Sequence, residues 1–307
     1  MIDALVPVVI ATIGAGTAIA FAALGELVTE RSGVLNLGVE GEMLVGAIAA
    51  FAAASGTGSL WTGVAAGMLA GAAMALLFAF LTLTLMANQV ACGLALSIFG
   101  VGLSAYVGQA YLNIVLPTQP VLPLPGLSAL PVLGPMLFSH QPLVYASWML
   151  LGAVWWFLYR SRAGLKLRSV GESPQSAHAL GLPVTRIRYL ATMFGGATAG
   201  VGGAFLAVMY TPMWVEGMTA GRGWIALALV VFGTWRPARV MLGAYLFGGI
   251  TVAQLFAQSR GIAVPSQLLA MLPYLATVVV LVIISSNPLR IRLSTPASLG
   301  QSFRAAS

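Results

Sequence analysis

The chain has 307 residues, 59% of them apolar, with a mean hydropathy of +0.96 and only 14 basic and 7 acidic side chains, against roughly one charged residue in four in soluble domains. The 117 residues between Glu42 and Arg160 carry no charge at all, which excludes a water-soluble enzyme and indicates a polytopic membrane protein. The net charge of +7 does not mark a nucleic-acid binder, because no basic run is interleaved with aromatics and Lys166 is the single lysine.

In chain order, hydropathy predicts spans near residues 5–25, 40–54, 62–86, 90–112, 143–159, 189–210, 223–234, 241–258 and 268–286. The expected fold class is therefore all-α and polytopic, with about nine helices (eight to ten) in one transmembrane domain over 1–307. The first 25 residues have Asp3 where a leader would be basic, and read as a retained span. Glycines at four-residue spacing, Gly63, Gly67 and Gly71, then Gly196 and Gly200, suit close helix approach, most simply within the chain.

The connection 160–188 carries Arg160, Arg162, Lys166, Arg168, Arg186 and Arg188, the strongest cytoplasmic marker. By parity Arg31, Arg236, Arg239, Arg290, Arg292 and Arg304 also fall inside, and only Arg222 and Arg260 outside. The N-terminus is then external, and the tail from Ser285, including 287–307, cytoplasmic. The uncharged segment 113–142 holds seven of the sixteen prolines and reads as an external loop on the membrane surface.

Two spans are short and follow polar stretches: 40–54 after Glu26–Glu40, and 223–234 after Thr211–Arg222. Paired interruptions of this kind point to a pathway at mid-membrane, since irregular backbone is tolerated there only against protein or a water-filled cavity. Glu26 and Glu30, one turn apart, are expected to pair with Arg31 or its neighbours near the surface. Asn36 and Glu40 are the deeper pathway candidates, with Glu40 alternatively tying the broken helix to a neighbour's backbone. Asn88 and Gln89, opening the fourth span, either bond a polar solute or satisfy helix ends. Glu216 and Arg222 are read as an ion pair at the outer mouth, and Tyr106, Tyr210, Trp214 and Trp224 as an interfacial aromatic belt.

Catalytic and metal chemistry find no support. The chain has no GxxxxGK[ST] loop and no GxSxG elbow; His140 and His178 form no zinc pattern, and Cys92 is the single cysteine. The soluble piece that stands out is 168–183. There Ser173 suits an N-cap, Pro174 the first helical position, and Gly181 the C-cap, giving about two turns of helix. So short a helix needs a docking surface, either lipid headgroups or a cytoplasmic motor subunit.

Three stretches converge. Gly25-Glu26-Leu27 with Glu30 to Gly41, Asn88-Gln89-Val90 with Gly93 to Leu96, and Gly221-Arg222-Gly223-Trp224 to Ala228 with Phe232-Gly233 and Trp235-Arg236-Pro237 resemble the permease subunits of ATP-binding-cassette (ABC) importers. Within that class they look like the nucleoside-type permeases of the branched-chain amino acid and simple-sugar superfamily, and Gly171-Glu172-Ser173-Pro174 to Gly181 is similar to its coupling-helix region. The resemblance implies a type II importer-like fold in the bacterial inner membrane, no enzymatic activity and no bound cofactor, ATP being held by two cytoplasmic ATPase subunits. It also implies a second homologous permease, favouring a heterodimer, and an extracytoplasmic substrate-binding protein. Coupling would fall on Gly171, Glu172, Ser173, Pro174, Ala177 and Gly181. The expected solute is a nucleoside or nucleobase-like molecule, with riboflavin, simple sugars or branched-chain amino acids as alternatives; the competing reading is an ion-coupled carrier using Glu40 or Glu216.

Overall fold

A computed structural model describes residues 2–128, 130–259 and 294–304, with isolated positions 268, 271, 272, 275, 276, 278, 279 and 282. The helices are α1 (Ile2–Arg31), α2 (Val39–Thr57), α3 (Leu60–Ala79), α4 (Gln89–Gly108), α5 (Leu133–Phe138), α6 (Pro142–Arg160), α7 (Arg162–Glu172), α8 (Pro174–Ala179), α9 (Val184–Phe205), α10 (Arg222–Phe232) and α11 (Pro237–Ser259). A π-helical turn extends α3 over Phe80–Thr84 and another extends α9 over Leu206–Tyr210.

Among the described residues seven helices are long and apolar enough to cross a membrane, and α10 is a shorter apolar helix. The all-α polytopic fold is thus observed, with two adjustments. The first span runs on to Arg31, and the span expected to be short, 40–54, is a full helix of 19 residues. The extra length lies at its far end, where Ser55, Gly56 and Thr57 carry the helix on to a left-handed cap at Gly58, while Glu40 and Glu42 in its first turn are buried inside the protein. The predicted span 268–286, with Arg260, Arg290 and Arg292, lies largely outside the described residues.

The bundle is organised around α1 and α9, which run antiparallel, with α2, α3, α10 and α11 against them. Close approach rests on glycine. A Cβ on Gly71 would lie 2.2 Å from the Gly196 carbonyl oxygen, and one on Gly67 2.9 Å from that of Gly46. The small-residue stripes are therefore spent on packing α3 against α9 and α2.

On the face carrying the basic connection, the tail 294–304 folds back under the bundle: the Ser298 amide bonds the Gly171 carbonyl and that of Gly300 the Gly33 carbonyl. On the opposite face 113–142 forms a small layer in place of a plain surface loop. Strand β1 (Leu122–Pro123) pairs antiparallel with β2 (Ser139–His140), and Leu116 bonds the carbonyl of Pro212, which ties the layer to the segment after α9.

Candidate functional site

The two interruptions meet. After α9 the chain re-enters the bundle through 211–221 and starts α10 at Gly221, whose φ of +79° is suited to glycine. The first N–H groups of a helix have no intrahelical acceptor, and its dipole is positive at that end. Glu40 supplies the missing acceptor. Its Oε1 accepts from the Thr219 hydroxyl at 2.6 Å and the Gly221 amide at 2.9 Å, and its Oε2 accepts from the Gly223 amide at 2.6 Å. A Cβ on Gly223 would lie 2.5 Å from the Glu40 Cα, so no larger residue permits this approach.

The junction is deep. The next residue, Gly41, packs against Gly100, where a Cβ would lie 2.4 Å from its Cα. Gly100 stands eleven residues along α4 from Gln89, about 16 Å of helix rise, near the middle of a ~30 Å hydrocarbon core.

The turn between α1 and α2, residues 32–38, is braced by side chains. Glu26 accepts from the Asn36 amide at 3.2 Å, Asn36 Nδ2 donates to Glu42 at 2.8 Å, and Asn36 Oδ1 accepts from the Gly38 amide at 2.9 Å. From α4, Gln89 accepts from the Leu35 amide and Ser97 donates to the Leu37 carbonyl, both at 2.8 Å. Three atoms of these braces, Glu26 Oε2, Glu42 Oε2 and Gln89 Nε2, are buried with no hydrogen-bond partner. Such atoms are rare in a folded interior and carry free bonding capacity.

Asn36 and Gln89 thus both brace the turn 32–38, while Glu40 lies beyond it in the first turn of α2, against the start of α10. Asn88 is exposed and caps α4 by accepting from the Ala91 amide. Glu216 is exposed in the re-entrant turn, where Arg222 donates to the Met218 and Thr219 carbonyls. Trp214 is buried rather than interfacial, packed where a side chain on Gly108 would stand, whereas Tyr106 is exposed.

Glu26 and Glu30 are both buried, and their hydrogen bonds do not run to Arg31 at a surface, as the i, i+4 spacing suggested. Glu30 instead accepts from Trp235 Nε1 at 2.6 Å, and Arg31 donates to the Trp235 carbonyl at 2.9 Å. Trp235 and Thr234 form the turn between α10 and α11 with φ of +52° and +49°, a conformation costly outside glycine and held here by both partners. The Trp-Arg-Pro motif flagged the turn, but no local signal tied it to Glu30.

On the basic face Ser161 caps α7 and Ser173 caps α8, each by accepting from an amide three residues on, and Gly181 closes the turn with φ +79°. Pro174 is buried, Ala177 is buried against Val170, Val184 and Phe303, and Gly171 is buried so closely that a Cβ would lie 2.2 Å from the Arg31 carbonyl oxygen. These three of the expected coupling residues face the bundle. Glu172 and Gly181 are exposed, Ser173 is half-buried, and Leu180, 81% exposed, stands at the tip with Gln175 and Ser176.

The profile of the family described as branched-chain amino acid transport system / permease component matches residues 8–284. A relative from Haloferax volcanii, named "Putative glucose ABC transporter permease protein TsgC13", is 41% identical over 95% of this chain and 96% of its own. The nucleoside ABC transporter permease protein NupC of Lactococcus lactis subsp. cremoris is 34% identical over 86% and 88%, and the guanosine ABC transporter permease protein NupQ of Bacillus subtilis 33% over 84% and 86%. Among solved structures, "An inward-facing conformation of a putative metal-chelate type ABC transporter" aligns with a TM-score of 0.50 at 16% identity, over 90% of this chain and 84% of its own, a likeness of fold.

Proposed function

Since the chain belongs to the branched-chain amino acid transport system permease family, we propose that it is the membrane-spanning part of an ABC importer for a nucleoside or related nucleobase-bearing solute. It is a multi-pass inner-membrane protein and an ABC transporter permease, a transport subunit rather than an enzyme. The observation that carries the reading is α8: a capped helix of six residues outside the spans, with an exposed leucine at its tip. An ATPase subunit seated there supplies the surface so short a helix needs and the ATP that a chain without a phosphate loop cannot bind in that way. Two such ATPases, a second homologous permease forming a heterodimer, and an extracytoplasmic substrate-binding protein complete the assembly. The outward set Glu172, Ser173, Gln175, Ser176, Leu180 and Gly181 makes the contact, while Gly171, Pro174 and Ala177 hold the helix to the bundle.

The Glu40 junction with α10 is the gate in this reading. It seals the path at mid-membrane with backbone dipoles, and ATP-driven movement at α8 shifts the balance between closed and open forms by favouring one of them. Asn36 and Gln89 then offer donors and acceptors to an uncharged solute, with Asn88 at the cytoplasmic end of α4 and Glu216 and Arg222 on the turn that faces arrivals from outside. With both oxygens held on α10, Glu40 is poorly placed to carry a coupling ion.

A nucleoside is supported by two relatives above 30% identity named for nucleoside or guanosine transport; a hexose is the second reading, supported by the 41% relative named for glucose. Both solutes carry a neutral sugar ring, which suits the charge-free run 43–159. The test is isolation of the N-terminally tagged chain with its partners, reconstitution in liposomes, and uptake of labelled guanosine, uridine and glucose. ATP-dependent guanosine or uridine uptake with a co-purifying ATPase is expected. Glucose uptake alone replaces the nucleoside, and uptake by the chain alone on an ion gradient overturns the importer.

A further inference from the structure

We infer that the C-terminal segment Ser294–Phe303 is a strap that carries movement of α8 to the turn 32–38, and that Ser298 and Phe303 are positioning residues for coupling; this rests on the docking role of α8 above. The hub is Arg188 in the first turns of α9, only 1% exposed. Its guanidinium reaches three separate pieces of chain: Nε donates to the Ser32 carbonyl at 3.1 Å, Nη1 to the Gln301 carbonyl at 3.0 Å and Nη2 to the Ser298 hydroxyl at 3.0 Å. That hydroxyl donates in turn to the Gly171 carbonyl at 2.7 Å. Gly300 bonds the Gly33 carbonyl, and Arg31 donates to the Ser294 carbonyl at 3.2 Å. Phe303, at the far end, is buried against Val170, Ala177 and Val184 and meets His178 edge-on, with ring centroids 5.7 Å apart.

One segment therefore touches the docking helix through Phe303, the end of α7 through Ser298 and the α1–α2 turn through Gly300. A six-residue helix has no stiffness of its own, so a push on Leu180 without the strap deforms α8 locally. With Phe303 beneath it, the push reaches Gly33, and beyond it the Asn36 brace and Glu40, through a continuous packed and hydrogen-bonded path. Such a path earns a coupling role only by measured coupling.

Phe303→Ala gives that measurement, because this ring packs on Val170, Ala177, His178 and Val184, at the α7–α8 end of the strap. Hydrogen exchange of the purified chain in lipid nanodiscs is read at 171–180 and at 31–38, a readout needing neither partners nor transport. About tenfold faster exchange in both windows is expected, within the usual range of coupling between sites, with Phe303→Leu restoring the wild-type pattern. Faster exchange at 171–180 alone overturns the strap. Ser298→Ala is the second variant, should Phe303→Ala fail to fold, and is expected to speed both windows while Ser298→Thr does not; no change at 31–38 in Ser298→Ala likewise overturns it. In the reconstituted complex both Ala variants are expected to lower solute moved per ATP about fivefold with the ATPase still bound. A wild-type complex that moves no solute with ATP counts against the importer reading, and the exchange result still decides the strap.

Discussion

Glu40 and Arg188 are buried charges of opposite sign at two levels of the molecule. Each is held by neutral groups on three partners. Glu40, at mid-membrane, takes donors from Thr219, Gly221 and Gly223; Arg188, on the face of the basic connection, gives donors to Ser32, Ser298 and Gln301. An isolated charge is costly in a low-dielectric interior, and backbone groups already ordered by the fold can offset that cost. The difference lies in what surrounds them. Freed amides at the Glu40 level meet hydrocarbon-depth protein, whereas one partner of Arg188, the Gln301 carbonyl, belongs to an exposed residue that water can reach.

That difference sets the largest effect. Glu40→Leu strands the amino end of α10 and is expected to destabilise the chain by about 4 kcal/mol, the scale of removing one partner from a buried charged network; Glu40→Gln keeps an acceptor and should cost about half as much. Thermal unfolding in detergent, followed by tryptophan fluorescence, reads both. Arg188→Met should cost about 3 kcal/mol, because one of its stranded partners, the Gln301 carbonyl, recovers a bond to water. Equal losses at the two sites would break the contrast between mid-membrane and edge.

Gly223→Ala sharpens the comparison by leaving the carboxylate in place. Its Cβ must displace the α2 backbone at Glu40, 2.5 Å away, which is expected to cost about 2 kcal/mol as overpacking. The same unfolding assay checks it, and in the liposome system basal leak of guanosine should rise. A silent Gly223→Ala would mean that α10 does not bear on α2 as closely as its geometry requires.

What was legible in the sequence divides along range. Ser173, Pro174 and Gly181 announced α8 because caps act over three or four residues. Hydropathy located the long helices but stopped α2 short at its weakly apolar end, Ser55-Gly56-Thr57, and it could not show that Thr219, Gly223 and Asn36 receive the carboxylates of Glu40 and Glu42. Thr219 and Gly223 lie about 180 residues away in the chain. Arg188 counts among the six basic residues of the connection 160–188 for the sidedness rule, yet it is a buried hub whose partners lie at Ser32, Ser298 and Gln301. Glu30 and Arg31 were read as neighbours for each other, while a tryptophan two hundred residues on takes both. Local spacing cannot show such partners, because they are chosen by the packing of α1 against α9, α10 and α11.

The smallest expected effect tests whether an aqueous-side buried group behaves differently from the two hubs. His140 lies in the small layer 113–142, outside the spans, with Nε2 2.8 Å from the Met136 carbonyl and the rings of Tyr145 and Trp148 edge-on to it. A carbonyl only accepts, so Nε2 carries a proton. Burial holds its pKa below the ordinary 6.5, despite the hydrogen bond to Met136, which favours the charged form. The unfolded chain therefore takes up a proton that the folded layer resists. Stability is flat above about pH 6.5, falls as the pH drops below it, and levels off once the pH is below the depressed folded value. Proteolysis of the segment 113–142 should accelerate between about pH 7 and 5 in the wild type and lose that dependence in His140→Gln. A slope that survives the substitution would assign it to another group and leave His140 as packing alone.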